Sequence, residues 1–286
     1  MNAPVTLLCV DAGNSMVKLM PCRSSQSVDW QVAERAIHRA PSSEWVRVEQ
    51  ALMHLRNAVP ADLLGFGTPP VVLLCSVLGA EFEAVLRAAC KALGWPLQVM
   101  QVRGNRLMHT LYEQPEQLGK DRWAACLAVA ASTSFKSNLV VSFGTATTLD
   151  ALVHHSLVAG PLASGCHTWL HLGGFIVPGV GTMLSSLANA TAQLPKAGLA
   201  WAQWPQNTAT AIGAGVARQQ LSMVTHAMSL LQTSSTVESP ALWCTGGYAE
   251  AMLPQLQAVV PTVNLFQHAV LRALLLEQQF HTGGTS

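Results

Sequence analysis

Charge is scarce in this 286-residue chain: Asp, Glu, Lys and Arg make up 11%, split 16 basic to 15 acidic. So even a balance gives no electrostatic case for nucleic acid or a membrane surface as partner. From Ala151 to Pro195 there is no charged side chain at all. A membrane span needs about 20 continuous apolar residues, and His154, His155, Pro161, Gly165, His167, His171, Gly173, Gly174 and Pro178 interrupt this one. The stretch is therefore expected to be covered by the protein or by a second subunit, because interface cores are depleted in charge and a large uncharged surface invites association.

Paired cysteine motifs are missing too. The seven cysteines are scattered, odd in number and without a C-x-x-C pair, so neither a disulfide framework nor a zinc ribbon is expected and a reducing cytoplasm fits. Met1–Ser15 has no basic start, and Asp11 breaks its apolar run, so no signal peptide is expected. There is no G-x-x-x-x-G-K-[ST] loop. Gly213-Ala214-Gly215 lies inside a helical pattern with Arg218 at the third glycine position. A dinucleotide fingerprint needs strand, turn and helix in that order, so small residues where two helices pack are expected there instead.

What is present occurs twice. LLCVDAGNSMVKLM (Leu7–Met20) and LVVSFGTATTLDAL (Leu139–Leu152) each join an apolar run, a glycine among small polar residues, and a second run able to return as the next strand. Glycine lets backbone approach a ligand with no Cβ in the way, and clustered N–H groups suit phosphate oxygens. The duplication points to a nucleotide-dependent phosphotransferase. Half the residues are hydrophobic, enough for a sizeable core, and the length suits two domains of about 100–200 residues.

Periodicity places strands at 5–10, 16–21 and 28–33, a helix at 44–58 capped by Ser43, a strand at 71–76, a helix at 81–93 ending near Gly94, and a strand at 97–102. An Ala-rich helix at 122–134 follows. Strands are then expected at 139–142, 148–153 and 173–177, helices at 182–192 and 207–231, a strand at 241–244, and helices at 248–258 and 267–280. Strand-strand-strand-helix-strand-helix thus runs twice, and the opening hairpins make each sheet mixed.

Asp11, ending the first strand, is either a metal-facing carboxylate or a turn-stabilising Asp. Gly13, Asn14 and Ser15 would offer donors to phosphate. Lys18 on the return strand either reaches the same phosphates or is a solvated strand lysine. On the residues alone, Asp121 of Gly119-Lys120-Asp121-Arg122 fits a helix N-cap, and Arg122 is either a carboxylate-binding fork or a helix-surface arginine.

DAGNSMVK (Asp11–Lys18), GKDR (Gly119–Arg122), FGTATTLD (Phe143–Asp150), GGFIVPG (Gly173–Gly179), AQLP (Ala192–Pro195), NTATAIGAG (Asn207–Gly215) and TGG (Thr245–Gly247) follow one another in that order. Together they resemble the type III pantothenate kinase family, including its Bvg accessory factor branch, over nearly the whole chain. The resemblance implies an α/β fold of two ribonuclease H-like domains with mixed sheets, in the acetate and sugar kinase, Hsp70 and actin architecture, with ATP in the interdomain cleft. It gives domains 1–118 and 119–286. The implied reaction is ATP-dependent phosphorylation of pantothenate, the first step of coenzyme A synthesis, in the cytoplasm.

By the same resemblance, Asp121 takes the proton from the substrate's primary hydroxyl. Asp11 faces Mg2+, through water because that ion keeps much of its hydration shell. Gly13, Asn14, Ser15, Met16 and Lys18, with Gly144, Thr145, Thr147 and Thr148, line the phosphates, and Gly246 and Gly247 lie against the adenosine. Tyr112, Gly119, Lys120, Asp121 and Arg122 contact pantothenate, as does Thr208 from the neighbouring subunit, which implies a homodimer. Two departures stand out. Ser142 occupies a position where many members carry an Asp that binds potassium, so a monovalent cation (potassium or ammonium) is in doubt. The segment from His154 to His171, with Cys166 and His167, reads as an inserted polar loop, since its spacing matches no standard zinc signature. Ser142 is also the one feature favouring an alternative, a non-catalytic ligand-sensing or regulatory member.

Overall fold

The computed structural model describes residues 6–23, 28–60, 69–105, 107–157, 168–234 and 239–282. The chain divides into two compact units: 1–102, 119–124 and 270–286 in the first, and 103–118 and 125–269 in the second. The chain thus crosses between units more than once, where the sequence alone led to one cut after residue 118.

The first unit is built on β1 (Thr6–Ala12), β2 (Met16–Arg23), β3 (His38–Pro41), β4 (Val71–Ser76) and β5 (Leu97–Val99). Its sheet has the order β3-β2-β1-β4-β5. β1 is antiparallel to β2 and parallel to β4, so it is central and covered on both faces. That is why Leu7–Val10 is a continuous buried run instead of an alternating one. α2 (Val48–Ala58) and α3 (Gly79–Leu93) lay Ala51, Leu55, Phe82 and Leu86 on this sheet beside Trp45. α3 stops at Gly94, whose left-handed φ of 68° suits a residue without Cβ.

The second unit repeats the plan. β7 (Ser137–Phe143), β8 (Ala146–His154), β9 (Trp169–Pro178), β10 (Ala241–Thr245) and β11 (Val263–Leu265) have the same strand order, and β6 (Met108–Thr110) is added at the edge beside β9. α5 (Val180–Ala190), α6 (Thr208–Ser234) and α7 (Ala249–Gln257) follow, with Val180, Val216, Val224 and Met252 in one core with Val141, Phe143 and Leu149. Two mixed sheets with one strand order make this the duplicated ribonuclease H-like architecture of the acetate and sugar kinases, Hsp70 and actin. Between them in sequence, α4 (Lys120–Ala130) is buried from Arg122 to Ala130, and the division of the units falls within it. α8 (Ala269–Thr282) closes the chain, with the Arg272 guanidinium 4.1 Å over the Trp30 ring. Among the described residues no helix is long and apolar enough to cross a membrane.

Four expectations need correction. The strand expected at 28–33 is the helix α1 (Trp30–Ala36): the Asp29 carboxylate accepts from the N–H groups of Gln31 and Val32, and this cap overrides the β-like side chains. The true third strand is β3. The helix expected from Glu44 begins only at Val48, after a 3-10 turn at Ser42–Trp45. Ser43 does not cap it. Ser42 is instead tied to the first glycine turn, its Oγ donating to the Gly13 carbonyl at 2.6 Å. β6 and β11 were not anticipated, since three-residue strands leave no period to read. Gly213 does lie in a helix, but a Cβ there would meet the Gly198 carbonyl at 2.1 Å. Its neighbour is thus an extended stretch and not a second helix. Val5, Cys166 and His167 lie outside the described residues.

Under the first sheet, the buried His54 ring stacks on Trp45 at 4.7 Å, and its Nδ1 meets His38 Nε2 at 3.3 Å. Burial and then His38 lower its pKa from the ordinary value, against a smaller opposing pull from Glu44. With the folded value depressed, the unfolded chain takes up a proton first as pH falls through about 6.5. This contribution is full above that value and lost below it. The melting temperature should fall between about pH 7.5 and pH 5.5, and less steeply in His54→Phe, which keeps the stack. An unchanged slope in that variant would remove His54 as the cause.

Candidate active site

Asp11 is the penultimate residue of β1, opposite Lys18 on β2 and Cys75 on β4. The register brings Lys18 Nζ to 3.3 Å from Asp11 Oδ2, with the carboxylate side chain 14% exposed. Lys18 is thus a partner of the carboxylate, not a solvated strand lysine. Gly13 closes the turn through a bond from its N–H to the Met16 carbonyl, and Asn14, Ser15 and Met16 are exposed. Ser42 latches this turn twice: its hydroxyl donates to Gly13, and its N–H donates to the Ser15 carbonyl at 3.1 Å.

Asp121 stands one residue inside α4, not before it. Its Oδ1 accepts the Arg122 N–H at 2.9 Å, and a Cβ on Gly119 would come within 2.7 Å of that oxygen. The missing side chain at Gly119 therefore makes room for the folded-back carboxylate. Lys120 Nζ reaches Glu83 Oε1 on α3 at 2.8 Å. Arg122 is 4% exposed, so it is not a helix-surface arginine. Burial and then the carboxylates of Asp11 and Asp121 push the Cys75 thiol well above its ordinary value. One buried thiol thus feels both carboxylates, although they lie far apart in sequence, and it stays protonated. Glu83 also raises it and Lys120 lowers it, and these groups, with the Lys18 paired to Asp11, all belong to the first unit. Charge this dense suits phosphate chemistry. The Asp11 carboxylate is the ligand type that suits a hydrated divalent ion.

The second unit holds the other turns. Gly144 donates to the Ala146 carbonyl, Gly179 donates to the Thr145 carbonyl, and the Thr182 hydroxyl donates to the same oxygen at 2.6 Å. A Cβ on Gly179 would lie 2.1 Å from the Gly144 carbonyl, and one on Gly246, at a left-handed φ of 96°, 2.6 Å from the Phe143 carbonyl. The 144–145 and 246–247 turns therefore pack backbone on backbone, and Gly247 faces open space. Thr145 is exposed, whereas Thr147 is 1% exposed with a hydroxyl that finds no hydrogen-bond partner. Thr148 is buried, and Ser142 is half-buried on β7 between Thr148 and Thr245. Asn207 caps α6 through its side chain to the Thr210 N–H, leaving Thr208 exposed at the first position. Tyr112 follows β6, its N–H on the Thr110 hydroxyl at 3.2 Å.

His171 is not part of a polar loop. It lies buried on β9 with Nε2 2.8 Å from the buried Asp150 carboxylate on β8. Asp150 sits inside the quoted FGTATTLD motif, but nothing in the sequence pairs it with a histidine 21 residues on. The Ser42 latch and the Lys120–Glu83 pair escaped the sequence in the same way, because each joins segments far apart in the chain.

Comparison with known proteins identifies the family. A sequence model described as type III pantothenate kinase matches residues 7–229. The type III pantothenate kinase of Thiobacillus denitrificans is 40% identical over 252 residues, covering 87% of this chain and 88% of that protein. That of Dechloromonas aromatica is 32% identical over 250 residues, covering 85% and 88%. Among solved structures, a conserved Baf family protein from Campylobacter jejuni superposes with a TM-score of 0.57 at 17% identity, covering 96% of this chain and all of that one, a likeness of fold. With this match running from the first glycine turn into α6, the chain belongs to the type III pantothenate kinase family.

Proposed function

We propose that this protein transfers the terminal phosphoryl group of ATP to the primary hydroxyl of pantothenate, opening coenzyme A synthesis in the cytoplasm. The observation that carries this reading is the pair of carboxylates, Asp11 at the turn of β1 with Lys18 on it and Asp121 in the first turn of α4, whose charges both act on one buried thiol. Phosphoryl transfer passes through a loose transition state, so positioning and charge do most of the work. Asp121 orients the hydroxyl and receives its proton late. Asp11 would hold a magnesium ion, and that ion when bound would neutralise charge on the phosphates. The Gly13 and Gly144 N–H groups hold the two turns closed, the exposed Asn14, Ser15 and Thr145 meet phosphate oxygens, and Lys18 balances Asp11 before nucleotide arrives. Gly246 and Gly247 take the adenosine.

Pantothenate carries a carboxylate, and Arg122 is the fork that suits it. Tyr112, Gly119 and Lys120 complete the substrate's surroundings, and Thr208 serves the partner subunit's pocket. Support for a homodimer comes from the uncharged segment: within it Trp169, Leu170 and His171 at the start of β9 are buried, but Phe175, Ile176 and Leu187 are exposed. Apolar surface of this kind is what a second copy would cover. Ser142 offers a neutral hydroxyl where an anion would hold potassium, so a monovalent cation binds weakly here.

Three outcomes test this. Asp121→Asn keeps the shape and loses the proton acceptor; turnover of pantothenate should fall about 100-fold or more with ATP affinity little changed. Near-normal turnover would remove Asp121 as the base. Light scattering of the active enzyme should give a dimer, and a fully active monomer would exclude Thr208 from the pocket. Replacing potassium by sodium should change the rate less than about twofold, and Ser142→Asp should increase that dependence, because a carboxylate restores a full charge to the cation site. A strict potassium requirement in the unmodified protein would show that other ligands compensate.

A further inference from the structure

Three polar side chains are buried together at the edge of the second sheet with no part in the chemistry above. His171 is 0% exposed, and Asp150 and Thr110 are each 2% exposed. His171 Nε2 lies 2.8 Å from Asp150 Oδ1, and its Nδ1 lies 2.9 Å from Thr110 Oγ1. Burying such a pair costs desolvation that its own attraction barely offsets, so stability is a poor reason for it. A metal site is a poor reason as well. Cys126, Asp150 and His171 do bring ligand atoms within 4.8 Å of one another, but a metal-bound imidazole has one nitrogen left for hydrogen bonding, and here both are engaged.

What the cluster does hold is the short strand β6 and the residue just beyond it. Thr110 pairs with His171 across the parallel β6–β9 ladder. The Leu111 N–H donates to the His171 carbonyl at 2.9 Å. The Tyr112 N–H donates to the Thr110 hydroxyl at 3.2 Å, and the Tyr112 ring lies 5.6 Å from the imidazole, centroid to centroid. A three-residue edge strand has little pairing of its own, so these bonds fix where Tyr112 points. We propose that Asp150, His171 and Thr110 form a positioning relay that sets the Tyr112 side chain for the acceptor substrate. Asp150 orients the imidazole, the imidazole orients the Thr110 hydroxyl, and that hydroxyl holds the backbone of Tyr112.

Thr110→Val keeps the shape and removes only the hydroxyl that joins His171 to Tyr112. In its kinetic arm the test rests on the pantothenate reading: KM for pantothenate should rise about 10-fold, the loss of one or two buried hydrogen bonds, while KM for ATP and kcat stay within about twofold. Thr110→Ser restores the hydroxyl and should restore KM. In a Tyr112→Ala background Thr110→Val should add nothing, because the group being positioned is gone. An equal rise in that background, or an equal rise in KM for ATP, overturns the relay.

A second arm needs no substrate. The chain has two tyrosines, Tyr112 and Tyr248, so 3-fluorotyrosine labelling gives two fluorine resonances. Thr110→Val and Asp150→Asn should each shift or broaden the Tyr112 line and leave the Tyr248 line in place. A Tyr112 line identical to that of the unmodified protein overturns the proposal whatever the substrate proves to be. Stoichiometric zinc in the purified protein overturns it too.

Discussion

Asp11 is the penultimate residue of a strand that is hydrogen-bonded along both edges, and most of the first unit follows from that. An antiparallel neighbour on one side places Lys18 against its carboxylate, and a parallel neighbour on the other places Cys75 beside it. A slip of one residue in either ladder would turn Asp11 toward the opposite face. The register is held by Leu8 and Val10 on one face and Leu7 and Cys9 on the other, all of them buried. Apolar burial far from the chemistry therefore fixes a carboxylate to within a fraction of a residue. Loops could not do this, because they lack the two ladders.

The second unit solves its problem with backbone alone. Its two turns are joined where Gly179 and Gly246 press against the carbonyls of Phe143, Gly144 and Thr145, at approaches no Cβ permits. The Tyr248 N–H adds a bond to the Phe143 carbonyl at 3.2 Å. The N–H groups of Gly144 and Gly179 are used in the same packing, on the carbonyls of Ala146 and Thr145, so backbone bonds alone hold these turns in shape. Side chains would make such a site longer and softer. Glycine makes it short and stiff, at the cost of order in the unfolded chain.

Much of this was legible in the sequence, for identifiable reasons. The duplicated strand order could be read because each unit opens on a long apolar run and a glycine turn. The candidate residues could be read because they fall in contiguous motifs such as Asp11–Lys18 and Gly119–Arg122. What escaped were relations between segments. Val28 and Trp30 look like strand residues, but Asp29 caps a helix. Ser43 looks like a helix cap, but the helix waits until Val48 and the neighbouring Ser42 bonds to a turn 29 residues earlier. His171 looks like part of a histidine-rich insertion, yet β9 begins at Trp169 and carries it into the core. In each case a hydrogen bond decided the local structure, and hydrogen bonds between distant residues leave no periodicity to find.

The buried Asp150–His171 pair shows what such hidden relations are for. Hydrophobic residues could fill that space at least as stably, but they would not be directional. An imidazole held by a carboxylate on one nitrogen can direct its other nitrogen at a single hydroxyl, and that hydroxyl fixes the following backbone. The first unit uses the same device at Ser42, whose hydroxyl and N–H hold both ends of the Gly13–Ser15 turn. In both places a short segment with little intrinsic structure carries candidate substrate or nucleotide contacts, and a buried or half-buried polar group from elsewhere in the same unit restrains it. Strand ladders position the carboxylates. Where a contact residue must leave the ladder to reach its ligand, directional hydrogen bonds take over the positioning.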